Sequence, residues 1–145
     1  MAVKEMNQIS PAEWEVMRVV WTAKQTTSKE IGEVLNEKMD WKPATTKTLI
    51  GRLVKKGMLN TEPEGRSFLY SPAVSEAETV HESAERLLET ICRTKAGKLL
   101  GGMIEEASLS QNDIEQLQQL LEEKKQTAPV EVACECLPGQ CECHK

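Results

Sequence analysis

The sequence has few aromatic residues and no long apolar run. Five of its 145 residues are aromatic: three Trp, one Tyr and one Phe. A membrane-spanning helix needs roughly 18–20 consecutive apolar residues, and no segment approaches that length. The first ten residues also lack the basic and then apolar order of a secretory signal peptide. We therefore expect a soluble, cytoplasmic protein without a membrane partner, with a mainly helical core.

Histidine is also scarce, which argues against an enzyme. The two histidines, His81 and His144, have no neighbouring pattern of nucleophile and carboxylate. No glycine-rich loop suited to cradling a phosphate occurs in the sequence. We therefore expect a protein that is not an enzyme, although the five cysteines leave a thiolate redox sensor open.

Negative charge is concentrated in the second half of the chain. The formal net charge is −5, but residues 1–75 carry 11 basic and 9 acidic side chains, and residues 76–145 carry 7 and 14. A mildly basic half beside an acidic half is compatible with a nucleic-acid-binding module joined to a regulatory or assembly module.

Three helices and a hairpin are predicted in the first half. Pro11 starts a helix capped by Ser10, a second helix follows a cap at Thr27, and a third occupies residues 43–56 and ends at Gly57. Residues 58–62 and 66–70 then form two short strands around a glycine-containing turn. This order of elements is that of a winged helix, whose third helix enters the major groove of DNA.

The third predicted helix has an apolar face and a face of hydroxyl and basic side chains. Hydroxyl and basic groups near its start suit base edges and phosphates, and later basic groups suit the phosphate backbone. A merely solvated helix surface would carry the same residue types. Trp14 and Trp21 suit packing better than base stacking. The candidate DNA contacts, including one on the wing, are Thr45, Thr46, Lys47, Arg52, Lys55, Lys56 and Arg66.

The second half of the sequence predicts helices with narrow apolar stripes. One long helical pattern extends from residue 80 to residue 104, and its three glycines, Gly97, Gly101 and Gly102, are expected to bend or break it. A last helix starts at Ser110 and ends near Lys125. A chain this short offers little to cover such stripes, which predicts a homodimer.

Four of the five cysteines lie within the last twelve residues, in the spacing CxCxxxxCxC. In a reducing compartment such a cluster favours metal binding over disulfides. The central Pro138 and Gly139 suit a type II turn that brings the two CxC pairs face to face. Thiolates bind Zn(II) in a tetrahedral site and also favour Cu(I). The candidate metal ligands are Cys134, Cys136, Cys141 and Cys143.

Cys92 and His144 also carry metal-binding groups. Cys92 follows Ile91 on an apolar helical pattern, which favours packing over metal binding. His144 directly follows the last tail cysteine, but four sulfurs already complete a zinc site.

These features predict a mainly α fold in three parts. Residues 1–73 form an N-terminal winged helix-turn-helix domain for DNA binding, with three helices and a two-stranded β wing. Residues 74–125 form a helical dimerisation domain, and residues 126–145 form a linker and the cysteine-rich metal-binding tail.

Three blocks of sequence resemble the penicillinase repressor (BlaI/MecI) family. They are ISPAEWEVM at residues 9–17, TKTLIGRLVKKG at residues 46–57 and GRSFLY at residues 65–70, and the resemblance covers roughly residues 5–125. It implies a dimeric winged-helix repressor that binds an inverted-repeat operator. It also implies that Thr46, Lys47 and Arg52 are the leading DNA contacts, supported through phosphates by Lys55, Lys56 and Arg66.

The CxCxxxxCxC ending resembles the copper-responsive, CopY-type repressors of that family. That resemblance implies a Zn(II)-bound dimer on a copper-efflux operator, which leaves the DNA when Cu(I), delivered by a copper chaperone, replaces zinc. Two alternatives stay open. One is a copper or zinc buffer or chaperone without specific DNA binding. The other is a repressor released by proteolysis, whose cysteines are structural.

Overall fold

The chain is mainly helical in this computed structural model, which describes residues 8–144. Contacts divide it into two compact units, one up to Ser83 and one from Ala84 onward. No helix within the described residues is long and apolar enough to cross a bilayer. The elements in order are α1 (Pro11–Ala23), α2 (Ser28–Met39), α3 (Pro43–Lys55), β1 (Leu59–Glu64), β2 (Ser67–Pro72), α4 (Glu76–Glu89), a 3-10 turn (Arg93–Lys95), α5 (Ala96–Glu106), α6 (Gln111–Lys125) and a 3-10 turn (Glu142–His144).

The core of the first unit lies where α1, α2 and α3 meet the start of the hairpin. Trp21 packs against this core, donates from Nε1 to the carbonyl of Val74 at 3.0 Å, and has its ring centroid 5.7 Å from that of Trp14. The expectation that Trp21 is a packing residue is thus confirmed. The buried apolar residues are Val16, Met17, Val20, Ile31, Leu35, Leu49, Ile50, Leu53, Met58 and Leu59.

The helix ends follow local capping chemistry. Ser10 forms a capping box with Glu13 at the start of α1, and the hydroxyl of Thr27 accepts from the first turn of α2. At the end of α3, Gly57 has a φ of 78° and the amide of Met58 donates to the carbonyl of Leu53 at 2.9 Å. This is the Schellman arrangement, and it confirms the predicted left-handed stop at Gly57.

The hairpin is a two-stranded antiparallel wing whose turn has two residues, one fewer than predicted, and starts two residues later. Glu64 pairs with Ser67, so Gly65, with a φ of 61°, and Arg66 form the turn. Pro63 lies inside β1, which a two-stranded sheet tolerates because an edge strand does not need every amide. Residue 26 and Tyr70 also exchange two backbone hydrogen bonds, of 3.0 and 2.8 Å, which fix the wing to the loop between α1 and α2.

The predicted long helix of the second half is broken, but not at its glycines. Gly97, Gly101 and Gly102 all lie within α5, so the expectation that they break the helix is wrong. Each interior glycine costs only about 0.5–1 kcal/mol, which the rest of the helix outweighs. The break follows α4, where the hydroxyl of Thr90 donates to the carbonyl of Leu87 at 2.7 Å and Cys92 has extended backbone angles.

One ion pair ties α1 to the end of α3. Glu13 is 2% exposed, and its Oε1 accepts from the ammonium of Lys56 at 2.7 Å and from the amide of Ser10 at 3.0 Å. Burial by itself raises the pKa of Glu13. The hydrogen bonds from Lys56 and Ser10 outweigh that effect and hold the pKa below its ordinary value of 4.5. The pair therefore stabilises the fold at neutral pH.

Replacing Lys56 by Met should lower the free energy of unfolding at pH 7 by about 1–3 kcal/mol, because a buried carboxylate loses its partner. A group whose pKa is lowered by folding contributes stability above its unfolded pKa, and that stability is lost as pH falls through the folded pKa. The loss should therefore shrink at about pH 4, where Glu13 of the variant is protonated. Urea denaturation at both pH values measures it.

Lys55→Met is the matched control, since Lys55 is exposed on the same helix, and its effect should stay within about 0.5 kcal/mol. An equal loss for Lys56→Met at both pH values would contradict the role given to the ion pair.

Candidate functional site

A groove lies between α3 and the wing within the first unit. Its volume is about 620 Å³. Lys47 lines it from α3, and Arg66 lines it from the tip of the wing, so two of the predicted DNA contacts share one surface. The lining residues are Ser28, Lys47, Ile50, Gly51, Val54, Thr61, Arg66, Ser67, Phe68 and Tyr70.

A second hollow, of about 530 Å³, lies between α2 and the start of α3, and Lys47 also lines it. The residues that line the two depressions from α3 recur at helical spacing, so the depressions lie along one face of this helix and meet at Lys47. These residues are Pro43, Lys47, Ile50, Gly51 and Val54. The major groove of DNA is about 12 Å wide and admits one helix.

The start of α3 favours an anion more than the start of α1 or α2 does. The N-cap residue is Lys42, which makes no side-chain cap, and the first turn holds no acidic residue. The first turns of α1 and α2 instead contain Glu13 and Glu30. Because a helix N-terminus carries partial positive charge, this end of α3 suits a phosphate oxygen.

Thr45, Lys47, Arg52, Lys55 and Arg66 are all exposed in the structure. The remaining two predicted DNA contacts, Thr46 and Lys56, are not exposed.

Thr46 is 1% exposed, and its Oγ1 has no hydrogen-bond partner among residues 8–144. The expectation that it lies on the exposed face of α3 is therefore wrong, because it continues the stripe of Leu49, Ile50 and Leu53 by one turn. Lys56 is half-buried, and its ammonium is held by Glu13 and by the carbonyl of residue 8 at 3.0 Å. Its charge is compensated within the fold.

The tail turn forms as predicted. The amide of Gln140 donates to the carbonyl of Leu137 at 3.0 Å, and Gly139, the third residue of the turn, has a φ of 96°. Position three of a type II turn requires a positive φ, which glycine adopts at little cost. Because this turn reverses the chain, Cys134 Sγ and Cys141 Sγ, from opposite CxC pairs, lie 3.3 Å apart.

A cluster of thiols lies in the second unit. None of the five cysteines, all of which fall within the described residues, forms a disulfide. The Sγ atoms of four of them all lie within 4.8 Å of one another, and such a group can hold a metal ion. These four are Cys92, Cys134, Cys136 and Cys141.

The cluster includes Cys92 and leaves out Cys143, which is the reverse of the prediction. Cys143 was a predicted ligand, and its Sγ lies at the margin of the cluster, 3.9 Å from Cys92 Sγ. Cys92 was expected to serve for packing, yet it is 7% exposed and its Sγ lies 3.5 Å from Cys134 Sγ. Spacing along the tail carries no signal for this contact, because it spans 42 residues. The side chain of His144 lies outside the described residues.

The pKa is lowered for two of the clustered thiols and raised for the other two. Hydrogen bonds from Thr94 lower the pKa of Cys92 to about 6, and the backbone of Cys143 lowers the pKa of Cys141. The amide of Cys136 lowers the pKa of Cys134, but the thiols of Cys141 and Cys92 outweigh it and raise the pKa overall. The pKa of Cys136 is raised, first through its hydrogen bond with Cys92. Four sulfurs this close share protons unless a cation replaces them.

The helices of the second unit expose apolar side chains. No residue of α5 or α6 is buried, and both helices lie wholly within the described part of the chain. Between 43% and 57% of each of the following side chains is exposed: Leu100, Met103, Ile104, Ile114, Leu120 and Leu121. An apolar surface of this kind marks an interaction face.

Comparison with known proteins places the chain in a family. The penicillinase repressor family matches residues 9–123. The penicillinase repressor of Bacillus licheniformis is 34% identical over 85% of this chain and 96% of that protein. An uncharacterized 16.5 kDa protein of Latilactobacillus sakei is 50% identical over 96% of this chain and 95% of that protein.

A solved structure is also similar to part of the chain. It is the monomeric form of Bacillus licheniformis BlaI in complex with the blaP half-operator, with 42% identity, a TM-score of 0.44, and coverage of 49% of this chain and 87% of that one. The family match over residues 9–123 shows that the chain belongs to the penicillinase repressor (BlaI/MecI) family of transcriptional repressors, with an N-terminal winged-helix DNA-binding domain.

Proposed function

We propose that this repressor is copper-responsive and controls copper homeostasis genes such as those for efflux. It acts as a cytoplasmic homodimer on an inverted-repeat operator, binds DNA with Zn(II) in its thiol site, and leaves the DNA when Cu(I) takes that site. The observation that carries the proposal is the cluster of four Sγ atoms within 4.8 Å of one another, in a chain that also has a winged helix.

Residues 1–73 bind DNA through α3 and the wing. Thr45 and Lys47, both exposed in the first half of α3, contact base edges or phosphates, and Arg52 follows them as a further exposed residue of this helix. Lys55 and Arg66 contact the phosphate backbone on either side. Thr46 and Lys56 support this surface from within the fold, since one is buried and the other is paired with a carboxylate.

Residues 74–125 join two copies through the exposed apolar faces of α5 and α6. The large apolar side chains on these faces are about half exposed in the single chain. A second copy offers the same apolar surface to cover them. A two-fold dimer places two α3 helices on successive half-sites about one turn of DNA apart. Inverted repeats in the operator match that symmetry.

The thiol site, formed by Cys92 and three cysteines of the tail of residues 126–145, fits a thiophilic cation. Its four sulfurs lie within 4.8 Å of one another and offer the donor set that Zn(II) prefers in tetrahedral sites, and soft thiolates also favour Cu(I). A bound cation supplies the positive charge that lets neighbouring thiols ionise together. The exposed Cys143 and the half-buried tail cysteines leave the site accessible to a donor protein such as a copper chaperone.

The response to copper depends on shape, since net charge stays the same. Four thiolates around one Zn(II) carry a formal charge of −2, and four thiolates around two Cu(I) carry the same charge. Four sulfurs adopt a tetrahedral arrangement for zinc, whereas two or three sulfurs suffice for each cuprous ion. DNA affinity then changes because the tail and its attachments rearrange.

Lys47→Ala should weaken operator binding by about 1–3 kcal/mol and relax discrimination against random DNA.

Arg66→Ala should weaken binding to operator and random DNA alike, with a salt slope reduced by about 1, because one phosphate contact is lost. Gel shifts at two salt concentrations measure both effects. Lys98→Ala is the matched control, since Lys98 is exposed on α5. Unchanged affinity in both test variants would remove the assignment.

Thr46→Val should leave operator affinity unchanged and should raise the free energy of unfolding by up to about 1 kcal/mol, because it removes a buried hydroxyl without a partner. Binding assays and urea denaturation of the same preparation decide it. A large loss of operator affinity with an intact fold would show that Thr46 contacts DNA and that our placement of its side chain is wrong.

Titrating Cu(I) into the zinc-loaded protein on its operator, under anaerobic reducing conditions, should release the DNA and free the zinc together. Ag(I), which has no redox chemistry here, should act in the same way. The variant Cys134→Ser/Cys136→Ser should no longer release DNA in response to copper. A copper response that survives in this variant would favour release by proteolysis or another route, and metal binding without operator binding would favour a metal buffer.

A further inference from the structure

Cys92 lies among the tail thiols although 42 residues separate it from Cys134. Its Sγ is 3.5 Å from that of Cys134 and 3.9 Å from that of Cys143, and it belongs to the group of four Sγ atoms within 4.8 Å. We propose that Cys92 is a metal ligand, so that the metal centre joins the tail to the segment between α4 and α5. The inference rests on the proposed function only for the identity of the ion.

The contacts around Cys92 differ from those of a cysteine that only packs. A packing cysteine behaves as a small apolar residue among apolar neighbours. Cys92 Sγ instead meets tail thiols and lies 3.1 Å from Thr94 Oγ1. It is also shielded from solvent at 7% exposure, which protects a bound ion from water and from competing ligands.

The two residues that follow Cys92 also contact the tail. Arg93 forms an ion pair with Glu135, and Thr94 Oγ1 lies 3.6 Å from Cys143 Sγ. Three consecutive residues of the α4–α5 junction therefore hold the CxC pair at the start of the tail and the last cysteine of its second pair. The junction and the tail approach each other through several contacts, of which the thiol contact is one.

The structure offers one thiol more than a tetrahedral zinc site needs, so one thiol has to be left out. A tetrahedral zinc site takes four ligands, and the structure offers five thiols. The four closest include Cys92 and leave Cys143 at the margin. A site built from the tail alone would instead use Cys143 and leave Cys92 out. The two sets differ by one residue, so they can be separated by mutation.

Ligation by Cys92 closes a loop of the chain through the metal. Metal bound by the tail alone would leave residues 126–133 as a free linker. Metal bound by Cys92 and the tail closes the segment between residues 92 and 134 and restricts that linker, which reduces its conformational freedom. A change of the bound ion then acts directly on the end of α4 and the start of α5.

The test compares the variant Cys143→Ser with Cys92→Ser/Cys143→Ser, both as full-length protein, so that Cys143 cannot replace a lost ligand. Bound Co(II) reports thiolate ligands through its charge-transfer absorbance. Cys143→Ser should keep the wild-type absorbance. The double variant should lose about a quarter of it, because three thiolates replace four, and should bind zinc roughly tenfold or more weakly in competition with a chelator.

A second measurement tests how readily a protease cuts the linker of residues 126–133. Glu131 is exposed within it, and a glutamate-specific protease should cut there slowly in zinc-loaded Cys143→Ser and quickly in the double variant. Far-UV circular dichroism checks the fold, and Cys92→Ala replaces Cys92→Ser in the same background if helix content falls.

The inference is overturned if Cys143→Ser alone loses a quarter of the cobalt absorbance and adding the change at Cys92 alters nothing. That result leaves the proposed function intact, since zinc-dependent operator binding and release by copper are measured on the wild-type protein. If copper fails to release wild-type protein from the operator, the proposed function is wrong, while the cobalt spectra still decide whether Cys92 is a ligand.

Discussion

Four sulfur atoms within 4.8 Å of one another cannot all carry negative charge without a cation between them. This constraint governs the second unit of the molecule, because the neighbouring thiols must either share protons or bind a metal ion. The opposite pKa directions, lowered for Cys92 and Cys141 and raised for Cys134 and Cys136, fit shared protons. A thiophilic cation would replace those protons. The geometry of the site thus permits two ways of balancing the same charges.

The features that could be predicted from sequence are those whose cause is local. Ser10 and Ser110 cap their helices through their own first turns, and Gly57 stops α3 because glycine accepts a positive φ. Pro138 and Gly139 turn the tail for the same reason. The winged-helix order follows from these stops together with helical and alternating apolar patterns. Each of these signals lies within four residues of the feature it determines.

The features that were missed depend on contacts distant in sequence or on competition between weak effects. Cys92 meets the tail across 42 residues, and no local pattern encodes that contact. The helix breaks near Thr90 and not at the glycines of α5, because a modest propensity cost is outweighed by the rest of a helix. The burial of Thr46 did have a signal. It precedes Leu49 and Leu53 at helical spacing, but a hydroxyl at a helix start suggested a surface role.

The free energies involved show why a small rearrangement at the thiols is enough for regulation. Coupling between two sites is typically about 1–3 kcal/mol, whereas structural zinc binding by thiolates contributes about 10–16 kcal/mol. In the proposed function, only a small fraction of the binding energy has to differ between the zinc-bound and copper-bound states. Because the formal charge of the site would be the same with either metal, this fraction would have to come from geometry. With Cys92 as a ligand, as proposed, the geometry at the metal would act on a helix end, whereas a ligand set confined to a flexible tail would lose this effect in the linker.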